Sequence, residues 1–263
     1  MTFGDTLRRH RRRRRLSQLE LAIRANTTQR HLSFVESGRS VPGRDLVVRL
    51  AMALELPVRE QNALLLAAGF APLVPESDPE GPELEAVRDA LRRLLHGHRP
   101  YPALVIDRYG DVLATNDAIG VLTDGAAPEL TEGRWNAYRM ALHPKGMMPR
   151  VRNPAHWSRH VLGNLRAELD RTPGERLAAL ITELESYAPP VADLPHLGLA
   201  VPLELSSPHG DLRLLAMIAT FATAHDVTVA ELRLETFLPA DDDTAARLGR
   251  YSRSKGAAVG PRG

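Results

Sequence analysis

The chain contains no cysteine, which removes disulfide frameworks, thiol nucleophiles and cysteine metal centres and leaves no mark of an oxidising compartment. No apolar run approaches the roughly 18 residues of a membrane span. The basic stretch from Arg8 to Arg15 leads into an amphipathic helix, not into the apolar core of a signal peptide. No phosphate-binding glycine loop occurs, and no nucleophile, base and orienting acid stand at readable spacing. These absences leave the expectation of a soluble cytoplasmic protein that is not an enzyme, needs no cofactor and does not meet a membrane.

What is present is enough apolar material, 43% of 263 residues, to build one large or two ordinary cores. Charge is distributed unevenly. The first 72 residues carry 13 arginines against 6 acidic residues, whereas the remainder carries 21 basic against 26 acidic residues. A chain polarised in this way fits phosphate binding by its N-terminal part alone. The Arg11 to Arg15 run, with Arg12 as the candidate backbone contact, directly precedes the strongest motif.

That motif runs from Leu16 to Gly38 and reads as two short helices around a sharp turn. Ser17 is a natural N-cap with Glu20 in the first turn, and Leu19, Ala22 and Ile23 supply helical apolar spacing. Asn26 falls where the chain reverses, and after glycine it is the residue that best tolerates a left-handed conformation. Thr27 or Thr28 can cap the second helix. At about 100° per residue, Leu32 and Val35 then face inward while Gln29, Arg30, Ser33, Phe34 and Ser37 face outward. Gln can bond adenine N6 and N7, Arg the O6 and N7 of guanine, and Phe can touch a thymine methyl. A solvated polar face would explain neither the capped turn nor an exposed Phe.

The stretches Ser17-Gln18 to Ala22, Thr27-Thr28-Gln29 and Val35-Glu36-Ser37-Gly38 resemble the phage-repressor-like (Xre, lambda-repressor) helix-turn-helix family, over residues 3–71. The resemblance implies a phosphate anchor at Gln18 and base-facing positions at Gln29, Arg30, Ser33 and Phe34. Phe34 departs from the polar residue common at its place. Thr28 and Arg39 complete the expected DNA-contact set. Spacing at Leu46, Leu50, Ala51 and Leu54, then at Leu64, Leu65 and Ala68 after Pro57, makes a five-helix domain over residues 1–73. The proline-rich segment from Val74 to Pro82 reads as a linker.

A second domain is expected over residues 83–245. It opens with a helix over 83–95 and a hairpin of Ala103–Ile106 and Val112–Thr115 around an Asp107 to Gly110 turn. Asn116 or Asp117 caps a following helix, and helical segments continue to about Tyr187. Three strands close the domain: Leu199 to Leu205, Leu212 to Thr223, and a last strand in which Ala230, Leu232, Leu234 and Thr236 alternate with Glu231, Arg233 and Glu235. Two strands, a helical insert and a three-stranded antiparallel meander are the chain order of a PAS-like sensor domain.

Residues 101–107, Thr115-Asn116, Asn136-Ala137-Tyr138-Arg139, Leu142-His143-Pro144 and Trp157 resemble the MmyB-like ligand-binding domain of bacterial regulators. The resemblance implies a PAS-like pocket for a small, largely apolar molecule, with fatty-acid-like compounds in its range. The fold class expected is therefore multidomain, α followed by α+β: a five-helix lambda-repressor-like domain and an antiparallel PAS-like sheet with helices.

Trp135, Tyr138, Met140, Leu142, Met147, Met148 and Trp157 concentrate flexible and aromatic side chains between the two halves of the sheet, as an adaptable cavity or as ordinary core. Asn136 and Arg139, three apart, share a helix face, where Arg139 pairs with a ligand carboxylate or with an internal acid. His143 completes the expected ligand set. His156 and His160 are four apart, but Trp157 stands where a zinc-protease helix needs Glu, so no metal site is expected. Asp241-Asp242-Asp243 reads as a helix N-terminus, and residues 249–263 as a disordered end.

The expected function is a ligand-responsive transcription regulator, a repressor, binding an inverted-repeat operator on double-stranded DNA as a homodimer. A DNA-binding adaptor that recruits a partner protein, or an enzyme with an autoregulatory DNA-binding domain, are the competing readings.

Overall fold

The computed structural model describes residues 2–190 and 200–258. They fall into two compact units: one runs to Ser77 and includes the Ala224–Ala230 segment, and the other comprises Asp78–Thr223 and the chain from Glu231 onward.

The first unit is built from α1 (Phe3–Arg13), α2 (Gln18–Arg24), α3 (Gln29–Glu36), α4 (Arg44–Ala53) and α5 (Val58–Ala67). Both α1 and α2 start in capping boxes. In the second, the Ser17 hydroxyl accepts from Glu20 N at 3.1 Å while Ser17 N donates to Glu20 Oε2 at 2.7 Å. Thr28, not Thr27, caps α3 by accepting from His31 N. Asn26 takes the left-handed turn, with φ 49°.

The apolar face of α2 differs from the expected one. Leu21, Ala22 and Ala25 are buried, whereas Leu19 and Ile23, four apart, lie outside at 51% and 69% exposure. The core comprises Leu7, Leu21, Leu32, Val35, Val47, Leu50 and Leu64. Gly4 lets α1 press onto the end of α3, since a Cβ there would sit 2.5 Å from Glu36 O. The chain after α5 is tied down by Asn62, whose side chain accepts from Leu73 N and donates to Val74 O.

A later part of the chain also joins this unit. Short helix Val227–Glu231 begins where Val227 N donates to Pro75 O, and Ser77 N donates to Asp226 Oδ2. The sequence reading makes Ala230 the start of a strand, but the helical turn delays that strand to Arg233.

The second unit opens with α6 (Glu85–Gly97), then β1 (Ala103–Ile106) and β2 (Val112–Thr115), which form the expected hairpin. Short helices α7 (Gly120–Thr123) and α8 (Ala137–Leu142) and long helices α9 (Pro154–Arg171) and α10 (Glu175–Glu185) follow. After them come β3 (Leu203–Leu205) and β4 (Leu212–Thr220). The helical turn Val227–Glu231 takes the label α11, and β5 (Arg233–Pro239) and α12 (Asp242–Ala258) end the chain. Leu199 lies outside the described residues, and β3 and β4 are shorter than their apolar patterns.

The sheet is antiparallel throughout, in the order β2-β1-β5-β4-β3. With helices inserted between β2 and β3, this is the PAS-like arrangement. Its last strand sits in the middle, so β5 is paired along both edges, and side chains pack on both of its faces. Leu232 and Leu234 pack with Leu91, Leu95 and Val105 beneath α6. The opposite face carries the main core, which includes Leu142, Trp157, Leu165, Leu177 and Leu184.

Two expectations are corrected here. Asn116 stands at the N-cap position of the short turn Asp117–Ile119, where its backbone oxygen accepts from Ile119 N, but its side chain does not cap that turn. The side chain is buried, accepts from Ala103 N, and donates to Leu95 O and Tyr101 O, clamping the hairpin to the end of α6. Residues 249–258 are not disordered, because Leu248 and Tyr251 are buried in the main core and carry α12 on to Ala258; residues 259–263 lie outside the described residues. Asp241 caps α12 as expected, its carboxylate accepting from Thr244 N at 2.8 Å.

Candidate functional site

The first unit presents a reading face on α3. Leu32 and Val35 point into the core, Gln29 and Arg30 are exposed, and Ser33 and Phe34 are half-buried beside them. Arg30 is not a loose side chain: its guanidinium carbon lies 5.5 Å from the centre of the Phe34 ring. Phe34 therefore preorganises the arginine as well as offering an apolar contact. Arg39 is exposed just beyond Gly38.

Behind this face, the Glu36 carboxylate ties three helices together. Arg11 meets it with Nε at 2.6 Å and Nη2 at 2.8 Å, Gln18 Nε2 donates to it at 2.9 Å, and Arg8 lies at 3.6 Å. Burial alone pushes this carboxyl up, but the bonds from Arg11 and Gln18 and the charges of Arg11 and Arg8 outweigh it and hold it below the ordinary glutamate range. The basic run thereby divides with helical spacing. Arg8, Arg11 and Arg14 brace the fold, Arg14 by donating to Glu55 O, while Arg9, Arg12, Arg13 and Arg15 are exposed. Gln18 is half-buried against Glu36, which leaves one amide hydrogen for a phosphate. The hydroxyl of Thr28 is committed to its cap.

His10, also buried in this unit, has no hydrogen-bond partner at Nε2, and Glu60 Oε2 at 3.6 Å is too distant to provide one. Burial, reinforced by the charges of Arg9, Arg13 and Arg14, lowers its pKa to about 4.

The second unit holds a cavity of about 230 Å³ between the sheet and helices α7 to α9, open to solvent beside Ile218 and Asn164. The sheet supplies Leu104, Ala216 and Ile218 and, at alternate positions of β5, Arg233, Glu235 and Phe237. Helix α8 supplies Ala137, Tyr138, Met140 and Ala141, and α9 supplies Trp157, His160, Val161 and Asn164. Gly110, at φ 85°, places backbone where Tyr138 can lie against it; a Cβ there would come within 2.2 Å of the ring.

Of the expected ligand contacts, Trp135, Tyr138 and Met147 line this cavity, as do Met140 and Trp157. Asn136, Arg139, Leu142, His143 and Met148 are not among its lining residues, and each has another task. Asn136 is the N-cap of α8 and not a residue of its face: its oxygen accepts from Tyr138 N and Arg139 N, and its amide donates to Tyr109 O and Asp111 Oδ1. Arg139 makes the internal salt bridge, with Nε and Nη2 each 2.7 Å from the Glu183 carboxylate. Leu142 is core, Met148 packs against it, and His143 meets the Tyr187 ring edge-on.

The charged residues of β5 escaped the sequence reading. An alternation of Leu with Arg and Glu is the ordinary sign of a strand with one solvated face. Here that second face looks into the cavity because α8 and α9 cover it. Arg233 is engaged: Nη2 lies 2.7 Å from Glu168 Oε2, and its charge acts on the neighbouring Tyr138. Glu235 has no hydrogen bond or ion pair among the described residues. Burial pushes it up to about 7, partly offset by the charge of Arg233. Burial, with the Glu235 charge, likewise pushes Tyr138 up to about 12.

No group of three or more potential metal ligands occurs among the described residues. His160 contacts Asn164 and lies 5.5 Å, ring to ring, from Trp157. No helix among the described residues is long and apolar enough to cross a membrane.

A capped helix pair with an outward reading helix, joined to a sheet-and-helix domain around an apolar cavity, defines a DNA-binding regulator with a ligand-binding domain. Residues 87–250 match the model of the MmyB-like transcription regulator ligand binding domain, and residues 2–64 match a helix-turn-helix domain. The first match alone covers more than half of the chain, which thus belongs to the MmyB-like transcription regulators. No curated protein shows significant similarity. Among solved structures, an RNA-binding light-oxygen-voltage receptor aligns over 90% of this chain and 56% of its own, at 14% identity and a TM-score of 0.28.

Proposed function

We propose that the protein is a repressor-type regulator in which a small, largely apolar molecule bound in the second unit alters the affinity of the first for an inverted-repeat operator. The observation that carries this reading is a predominantly apolar cavity in the same chain as a preorganised reading helix. The roles fall to Arg30, Gln29, Ser33 and Phe34 at base edges, to Arg12 and Arg39 on phosphates, with Gln18 and Thr28 at the two helix starts. Trp135, Tyr138 and Met147 contact the ligand.

Binding as a homodimer follows from surface economy. One recognition helix buries too little for tight binding, whereas two reach successive major grooves about 34 Å apart. Ligand and DNA are then linked reciprocally: each weakens the other by the same factor. Footprinting with and without ligand, alongside light scattering, tests the proposal. Protection of two symmetric half-sites by a dimer, released by ligand, is the expected result. A monomer protecting one unrepeated half-site overturns the dimer, and operator affinity indifferent to a bound ligand overturns the sensing role.

A further inference from the structure

The cavity is mostly apolar, and its polar lining is Thr123, His160, Asn164, Arg233 and Glu235, of which Glu235 is the one acid. Glu235 stands on the central strand, directly opposite Leu104 of β1 and Ile218 of β4, so its immediate neighbours across the sheet offer it no hydrogen bond. Among the described residues no donor hydrogen-bonds it, and the Arg233 charge is the one favourable influence on its carboxylate. A carboxylate in such surroundings is costly unless something pairs with it. In the first unit the comparable acid, Glu36, is met by Arg11 and Gln18. Glu235 is left open toward the space a ligand would enter.

The cation nearest along the chain does not change this. Arg233 is held by Glu168, which Arg171 also meets at 2.7 Å. Arg139, the other arginine suited to gripping an acid, is locked to Glu183 and does not line the cavity. A second orphan lies in the same wall: Trp157 is 2% exposed, and its indole N–H has no partner. The cavity thus offers one unpartnered acceptor group and one unpartnered donor, and no unengaged cation.

Resting on the sensor reading above, we infer that the cavity selects an apolar molecule whose polar end donates a hydrogen bond to Glu235, a hydroxyl, amide or ammonium, and discriminates against a carboxylate. A hydroxyl oxygen or amide carbonyl can also accept from Trp157. An anion brings a second negative charge beside Glu235 and finds no free arginine. The groups facing Glu235 are Arg233 on its own strand and Tyr138 on α8, with His160 of α9 lining the same cavity; β1 and β4 place Leu104 and Ile218 opposite it. Because Glu235 titrates near pH 7, the discrimination strengthens as pH rises through neutrality.

The test uses the full chain and three ten-carbon probes that differ only at the head: 1-decanol, decylamine and decanoate. Each is titrated below its micelle concentration or, for decanol, its solubility limit, at pH 6 and pH 8, by displacement of a neutral apolar fluorophore. At pH 8 decanol and decylamine should bind at least about tenfold more tightly than decanoate, with the gap narrowing at pH 6. Glu235→Gln should close the gap, since its amide donates to a carboxylate.

Decanoate binding as tightly as the two donors at pH 8 overturns the inference, as does a gap that Glu235→Gln leaves intact. The wild-type pH series decides the matter even if the variant folds poorly. Fluorophore uptake without displacement by either donor also overturns the head-group assignment while leaving the cavity reading standing. No uptake of any probe or fluorophore overturns the sensor reading itself.

Discussion

Glu36 is buried and Glu235 half-buried, one in each unit, and they serve opposite ends. Glu36 is surrounded by donors from three helices and sits below the ordinary range for a glutamate; Glu235 has none and sits near 7. A paired buried acid holds secondary elements in register, and its loss leaves stranded cations. An unpaired one adds nothing to the resting fold and is retained at a cost in stability. The contrast separates the acid that builds this protein from the acid that waits for a ligand.

The largest effect should come from Glu36→Ala. Removing one partner of a buried, multiply bonded charge costs about 3 to 5 kcal/mol, and denaturant unfolding of the N-terminal unit should show it. A loss under about 1 kcal/mol would mean that Glu36 is no more committed than Glu235, and the contrast would dissolve.

Next in size is a pair of opposed pH effects. The folded-state pKa of Glu235 is raised, so the unfolded chain releases its proton first, and stability falls as pH rises from about 4.5 to about 7. Glu235→Gln should therefore stabilise the ligand-free protein at pH 8, by up to about 3 kcal/mol at 1.4 kcal/mol per unit, and leave it unchanged at pH 4. His10 runs the other way. Its folded-state pKa is depressed to about 4, so its contribution is complete above pH 6.5 and is lost as pH falls from there toward 4. Hydrogen exchange resolved by region, followed across pH, should find the first unit loosening as pH falls from 6.5 toward 4 and the second loosening as pH rises from 4.5 toward 7. Both units weakening in the same direction would contradict these assignments.

On DNA the expected effects are smaller. Arg30→Ala should cost about 1 to 3 kcal/mol on the operator and relax preference at one base pair, with Phe34→Ala producing part of the same loss through the stacked pair. Arg12→Ala should weaken specific and random duplexes alike and flatten the salt dependence. Identical losses for Arg30→Ala and Arg12→Ala on both kinds of duplex would erase the distinction between reading and anchoring.

The smallest effect should belong to Arg139→Ala. Its partner Glu183 is itself partly exposed, and such pairs contribute about 0 to 1 kcal/mol. Its removal should leave the affinity for every ten-carbon probe unchanged. A selective loss of decanoate binding would return Arg139 to the ligand's side.

How much was legible differs between the units for a physical reason. Ser17, Glu20, Asn26 and Thr28 act on backbone within a few residues, so their caps and turn are readable along the chain; Asp241 before α12 is another such case. The reading face of α3 followed because one helical period sorts Leu32 and Val35 from Gln29 and Arg30. The face of α2 was misjudged because Leu19, Leu21, Ala22 and Ile23 are all apolar in one helix, and only the placement of α3 and α4 decides which are covered. Likewise, composition marked residues 249–258 as unstructured, although Leu248 and Tyr251 find a core supplied by distant elements.

By itself the sequence determined the two-part organisation, the helix-turn-helix with its outward residues, and the chain order of strands and helices in a PAS-like domain, since each rests on spacing, capping and hydrophobic period; that β5 pairs with β1 at the centre of the sheet was decided by the tertiary structure. Only the tertiary structure decided that Arg139 and Asn136 are spoken for and that Arg233 and Glu235 line the cavity. A period of two states that alternate residues of β5 lie on opposite faces. Which face meets water depends on α8 and α9 folding over it, and that is a fact about the assembled domain.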